Sequence, residues 1–238
     1  MYNIEDVMCA YDNHIVFEHL TVNIKKGQYL ILMGENGRGK STFINLIAGF
    51  IAPLSGKLSF DSQDLSQLLK HNKTKRQFYA RLGILFQDVD VQLFNRTVYD
   101  EVAFSLRQLE VTEEVIEQRV MDVLELFHIT HLKDRVPYQL SGGEKKKVAF
   151  ASIMVINPDV YILDEPFNNL AKEADYLLKE VLHELHIFGK TIIMSSHHFK
   201  HVNHEEADIL LFEDNRVRYF TADQVKADQA IQDILAKY

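Results

Sequence analysis

Four apolar stretches without polar alternation organise the chain: "YLILM" (Tyr29–Met33), "RLGILF" (81–86), "VYILD" (160–164) and "TIIMSS" (191–196). Rich in β-branched residues and leucine, they predict strands covered on both faces of a mostly parallel sheet. A fifth run, "DILLFEDNRVRYF" (208–220), breaks at Asp214-Asn215, which reads as a hairpin turn near a sheet edge. The opening "YNIEDVMCAYDNHIVFEHLTVNI" alternates more and contains polar breaks, predicting an antiparallel β-region ahead of the core. Between about 95 and 155 the period becomes helical. In "TEEVIEQRVMDVLELFHI", Ile116, Val120, Val123, Leu124 and Phe127 share one face at 3.6-residue spacing. Thr112 is the candidate N-cap, and Glu113 and Glu114 fall in the first turn, where the helix dipole favours anions. "ADQVKADQAIQDILAKY" predicts one further amphipathic helix. The expected layout is a single α/β domain over 1–238. Residues 1–90 and 155–222 form the core, 91–154 an inserted helical subdomain, and 223–238 a terminal helix.

With 238 residues, 47% of them hydrophobic, the chain can bury a core of the size this layout needs. A net charge of -8 argues against a general nucleic-acid surface, which is normally basic. The basic stretch "KHNKTKRQFYAR" (70–81) reads as a solvated face. Cys9 is the single cysteine, which excludes an internal disulfide framework and fits a reducing compartment. No N-terminal stretch has the composition of a signal peptide, and no apolar run approaches the roughly 18 to 20 residues of a membrane-spanning helix. The expectation is a soluble, cytoplasmic protein that partners carry to any membrane it serves.

Candidate chemistry begins at "GENGRGKST", directly after the first apolar run. Gly34-x-x-x-x-Gly39-Lys40-Ser41 has the spacing of a phosphate-binding loop, between a predicted strand and a predicted helix. Gly34, Gly37 and Gly39 let backbone N–H groups, including those of Glu35, Asn36 and Arg38, close around phosphate oxygens. The helix N-terminus at Lys40, Ser41 and Thr42 adds partial positive charge. Lys40 would reach the β- and γ-phosphates, and the Ser41 hydroxyl would ligate Mg²⁺. The loop therefore predicts a nucleoside triphosphate. In "VYILDEP", Asp164 ends a buried strand, where its carboxylate can hold the Mg²⁺ hydration shell. Glu165 follows and, by strand alternation, is expected to point elsewhere, where it could polarise an attacking water. Taken alone, the two carboxylates also fit solvated cap residues.

These residues resemble the nucleotide-binding ATPase subunits of ABC transporters. "LSGGEKKK" (Leu140 to Lys147) resembles the signature motif of that family, "ILFQD" supplies a Q-loop glutamine at Gln87, "LDEP" the Walker B end, and "IIMSSHH" the switch histidine, His197. Tyr11 fits the aromatic residue that stacks on adenine. The resemblance implies a P-loop NTPase core with a mostly parallel sheet, an antiparallel β-subdomain near the N-terminus and an inserted α-helical subdomain. It implies ATP as substrate, Mg²⁺ as cofactor, and hydrolysis coupled to transport. It assigns Ser141, Gly142, Gly143 and Glu144 to the nucleotide of a second ATPase subunit, in a head-to-tail dimer. His197 would contact the γ-phosphate and orient the water against Glu165, while Gln87 would touch Mg²⁺ and the water and couple the site to a transmembrane subunit. The implied location is the cytoplasmic face of the membrane, peripherally bound. "FQDVDVQLFNRTVYDEVAF" (86–104) further resembles energy-coupling-factor ATPases, which import vitamins or transition-metal ions.

The chain departs from the family pattern in places. Ala171 stands where the D-loop aspartate is usual, so hydrolysis is expected to survive while communication between two sites is put in question. Arg38 replaces a small residue inside the phosphate loop; its N–H still serves and its side chain can point outward. Asn215 stands where glycine is frequent in the late hairpin, a turn asparagine tolerates. The C-terminal region is shorter than many energy-coupling-factor ATPases carry. "HHFKHVNH" invites a metal site from His197, His198, His201 and His204 at helical spacings, but no acidic or thiol ligand completes one, and a solvated helix is the simpler reading. Two rival functions stand beside the transport ATPase: an ABC ATPase of DNA repair or translation, and a nucleotide-binding regulatory subunit with weak hydrolysis. The coiled-coil insert or tandem cassette of the first is absent.

Overall fold

The computed structural model describes residues 1–11, 14–197, 207–214 and 216–238. Its centre is a six-stranded sheet. The first four strands in chain order are β3 (Tyr29–Met33), β6 (Leu82–Leu85), β7 (Val160–Leu163) and β8 (Thr191–Ser195), joined by β9 (Asp208–Glu213) and β10 (Arg216–Phe220). The order across the sheet is β10-β9-β3-β8-β7-β6, parallel except for the antiparallel edge pair β9–β10. The hairpin expected at Asp214-Asn215 is thus the edge of the sheet, although Asn215 itself lies outside the described residues. β3, β7 and β8 are buried along their whole length, and the pleat divides them between two cores. Tyr29, Ile31, Met33, Tyr161, Leu163 and Ile192 face one, and Leu30, Leu32, Val160, Ile162 and Ile193 face the other. Burial on both faces is why their sequences show no alternation.

The second core lies under an antiparallel sheet of order β2-β1-β4-β5, made by β1 (Tyr2–Tyr11), β2 (His14–Ile24), β4 (Ser55–Phe60) and β5 (Gln63–Asp64). Helix α1 (Lys40–Ile47) fills the same core through Phe43, Ile44, Leu46 and Ile47. Two short helices, α2 (Leu65–Lys70) and α3 (Asn72–Tyr79), follow, the latter carrying the mostly exposed basic stretch.

Residues between β6 and β7 supply α4 (Val98–Gln108), α5 (Glu113–Leu126) and α6 (Gly142–Met154). Ile116, Val120, Leu124 and Phe127 are buried as the periodicity predicts, while Val123 is only partly covered. Thr112 occupies the N-cap of α5, but its side chain accepts no capping hydrogen bond; the acidic first turn of Glu113 and Glu114 supplies the stabilisation instead. Helix α6 belongs to two neighbourhoods. Its first residues stand among the helices, and its last turns seat on β6, where a Cβ on Gly83 would meet Ile153 Cβ at 3.4 Å and Pro158 Cγ at 2.9 Å. Helix α7 (Lys172–Ile187) crosses from β7 to β8.

The single terminal helix expected over 223–238 is two: α8 (Ala222–Ala227) and α9 (Gln229–Leu235). Asp228 takes an extended conformation between them, and its carboxylate accepts from the N–H groups of Ala230 and Ile231, so it caps a new helix instead of continuing the old one.

Candidate active site

Four segments leave the parallel strands at the same sheet edge, the carboxyl ends where open α/β sheets place their ligands. Between them lies a cavity of about 200 Å³ lined by Asn36, Gly37, Gly39, Lys40, Ser41, Thr42, Gln87, Asp164 and Glu165. The loop after β3 reverses at Gly34, whose φ is 137°, and enters α1 at Gly39, whose φ is 108°. A Cβ on Gly34 would lie 2.3 Å from the Phe212 carbonyl oxygen, so strand β9 presses directly on the loop backbone. Gly34→Ala is expected to cost about 3 kcal/mol or more from strain and overpacking together, which urea unfolding would measure; a loss under about 1 kcal/mol would show that the loop relaxes freely.

Helix α1 starts without a side-chain cap and without an acidic residue in its first turn, whereas α4, α5, α6 and α7 all carry acids there. Its N-terminus is left for an anion from elsewhere. Lys40 is nearly buried and donates to the carbonyl oxygens of Gly34 at 2.6 Å and Glu35 at 2.9 Å. Burial pulls its ammonium below the usual lysine range, opposed by the nearby Glu165 and Asp164 carboxylates. The Arg38 side chain points away from the cavity, to Glu35 at 3.0 Å and to Asp214 in the edge hairpin.

Opposite the loop, the Ser41 hydroxyl donates to Asp164 Oδ2 at 2.9 Å. The Ser195 hydroxyl donates to Asp164 Oδ1 at 2.5 Å and receives the Glu165 N–H at 2.8 Å. Strand alternation does not govern Glu165, contrary to the expectation from the sequence. β7 ends at Leu163, Glu165 takes a left-handed φ of 49°, and both carboxylates line the same cavity. Glu165 is 6% exposed; its Oε2 lies 2.9 Å from His197 Nδ1, and its Oε1 is buried without a hydrogen-bond partner among the described residues. Gln87 lies two residues beyond β6 and reaches the cavity wall.

Ser141, Gly142, Gly143 and Glu144 do not line this cavity. Ser141 caps α6 in a reciprocal box with Glu144, giving 2.9 Å from Ser141 N–H and 2.7 Å from its hydroxyl to Glu144 Oε2. Those hydrogen bonds hold the Glu144 carboxyl below its ordinary value. Neither Gly142 nor Gly143 is required by packing, since a Cβ on either would meet nothing within 4 Å. Tyr11 ends β1, and its side chain lies outside the described residues, as do His198, His201 and His204. Among the described residues no cluster of histidine, cysteine and carboxylate side chains could hold a metal ion.

Two participants escaped the sequence reading. Ser195 was visible only as one of the two serines closing "TIIMSS", and Lys146 only as one of three consecutive lysines in "LSGGEKKK".

Comparison with known proteins gives the family. The family described as ABC transporter matches residues 17–168. The nickel import ATP-binding protein LarO of Lactiplantibacillus plantarum is 39% identical over 229 residues, 96% of this chain and 94% of that protein. The energy-coupling factor transporter ATP-binding protein EcfA1 of Fusobacterium nucleatum is 36% identical over 210 residues, covering 88% of this chain and 75% of that one. Among solved structures, cbiO1 from Clostridium perfringens, part of the ABC transporter complex cbiONQ, superposes with a TM-score of 0.78 at 30% identity, over 98% of this chain and 93% of its own. The glycine loop, the paired carboxylates and the breadth of these matches lead to one conclusion: the chain belongs to the ABC transporter family, as an ATP-binding subunit that hydrolyses ATP.

Proposed function

We propose that this chain powers an energy-coupling-factor-type importer from the cytoplasmic face of the membrane, paired with a second ATPase subunit and docked peripherally on a transmembrane subunit. Among the described residues no helix is long and apolar enough to cross a membrane. Import of a transition-metal ion, nickel first, is favoured by the relative that matches nearly end to end; a vitamin is the alternative cargo.

The observation that carries the hydrolytic reading is the Oε1 of Glu165 beside the phosphate loop, buried and without a partner among the described residues. The loop N–H groups and the α1 N-terminus bind the phosphates, and Lys40 offsets charge at the β- and γ-oxygens. Glu165 Oε1 takes a proton from water as its oxygen bonds to the γ-phosphorus and the bond to the β–γ bridging oxygen breaks, releasing ADP. His197 steadies the carboxylate through Oε2. The Ser41 hydroxyl, Asp164 and Gln87 form a hard oxygen-donor set that fits Mg²⁺ and would hold it. When bound, that ion supplies charge neutralisation on the phosphate oxygens. Ser141, Gly142 and Gly143 open α6 outward with no packing reason for glycine, which supports a role against a second subunit's nucleotide.

Affinity purification from detergent-solubilised membranes is expected to recover the chain with an integral membrane subunit, and vesicles of that complex to accumulate Ni²⁺ only with ATP. Recovery of the chain alone, with and without nucleotide, would overturn the importer assignment.

A further inference from the structure

Lys146 is 5% exposed and sits one turn into α6. Its Nζ donates to the carbonyl oxygens of Glu165 at 2.9 Å and Asn168 at 2.8 Å. Those carbonyls are the two ends of one tight turn, which Asn168 N–H closes onto Glu165 O at 3.3 Å. The turn begins with Glu165 in a left-handed conformation that a residue with a Cβ adopts only under constraint. Ser195 pins the amide side of Glu165, and Lys146 pins its carbonyl side. Burying an ammonium is costly unless its donors are used, and here two of them go to the backbone of this turn. The helix has apolar residues enough for its core contacts in Val148, Ala149 and Phe150.

We infer that Lys146 is a positioning residue for ATP hydrolysis: it fixes the backbone of the Glu165–Asn168 turn so that the Glu165 carboxylate stays aimed at the γ-phosphate, and it ties that aim to the helix opened by Ser141, Gly142 and Gly143. This rests on the catalytic reading of Glu165 proposed above. Burial draws the Lys146 amine down to about 8, held up by the neighbouring Glu165 and Asp164. The adjoining Lys145 makes a parallel tie, 2.6 Å to Asp90 in the segment after Gln87. One helical turn is thereby joined to both sides of the cavity. The link runs within a single chain, and it does not involve residue 171, where Ala171 carries no carboxylate.

The test is steady-state phosphate release, fluorescent ATP-analogue binding and thermal melting on wild type, K146M, K146Q and E165Q. K146M is expected to lose about tenfold or more in kcat, the scale of a misplaced reacting group, with KM and analogue affinity within about twofold of wild type. K146Q, whose amide offers two N–H donors to the two carbonyls, is expected to fall between K146M and wild type. A K146M kcat within about twofold of an active wild type overturns the inference, as does a kcat loss matched by losses of binding and melting temperature. Should K146M fail to fold, K146Q decides: a lowered kcat at unchanged KM supports the assignment, and an unchanged kcat or a parallel rise in KM overturns it. A wild type no faster than E165Q removes the catalytic reading itself, an outcome distinct from either.

Discussion

Replacing Glu165 with glutamine is expected to cut steady-state phosphate release about 10²- to 10⁴-fold, the usual contribution of a positioned general base. The substitution keeps the side-chain volume in a site that is 6% exposed. If the amide oxygen stays toward His197, the amide nitrogen takes the buried Oε1 position and has no lone pair to accept a proton. Binding should survive, because Lys40 and the loop are untouched. The same variant is expected to accumulate an ATP-dependent dimer, visible by gel filtration. Residual turnover within about tenfold of wild type would remove Glu165 from the role of base.

The second large effect is expected at Lys40→Met. Removing one partner of a buried charge pair costs about 2–5 kcal/mol, roughly 30-fold or more in Kd for ATP. The nucleotide-free chain should respond differently. Methionine relieves the burial of an ammonium already pulled below its ordinary range, but leaves the carbonyls of Gly34 and Glu35 without it. Those effects oppose each other, so the melting temperature without ATP should stay near that of wild type. With ATP at 100 times the wild-type Kd, wild type gains about 2.7 kcal/mol, and the variant, binding roughly 30-fold or more weaker, should gain about 0.9 kcal/mol or less. A variant stabilised by ATP as strongly as wild type would show that Lys40 does not touch the phosphates.

What could be read in advance was whatever a local pattern encodes. The unbroken apolar runs found their strands because both faces of β3, β7 and β8 are buried. The glycine spacing located the loop because close backbone approach, as at Gly34 under the Phe212 carbonyl, excludes any side chain. Features made by distant segments were invisible. Ser195 bridges Asp164 and the Glu165 amide across 30 or more positions, and a lysine among lysines gives no sign that Lys146 is the one turned inward. The aim of Glu165 does not follow the alternation, which holds only while the chain remains a strand, and β7 stops two residues earlier. In the C-terminal segment the apolar period continues through Asp228, but a carboxylate able to cap the following turn breaks the helix there.

Helix α6 spans 13 residues, roughly 20 Å at 1.5 Å per residue. Its far end rests on Gly83, where no side chain cushions Ile153 from the strand. That contact anchors the far end. A force applied at Ser141 would act on a lever whose near end carries Lys146, the donor to the Glu165–Asn168 turn, and so would be felt close to the chemistry.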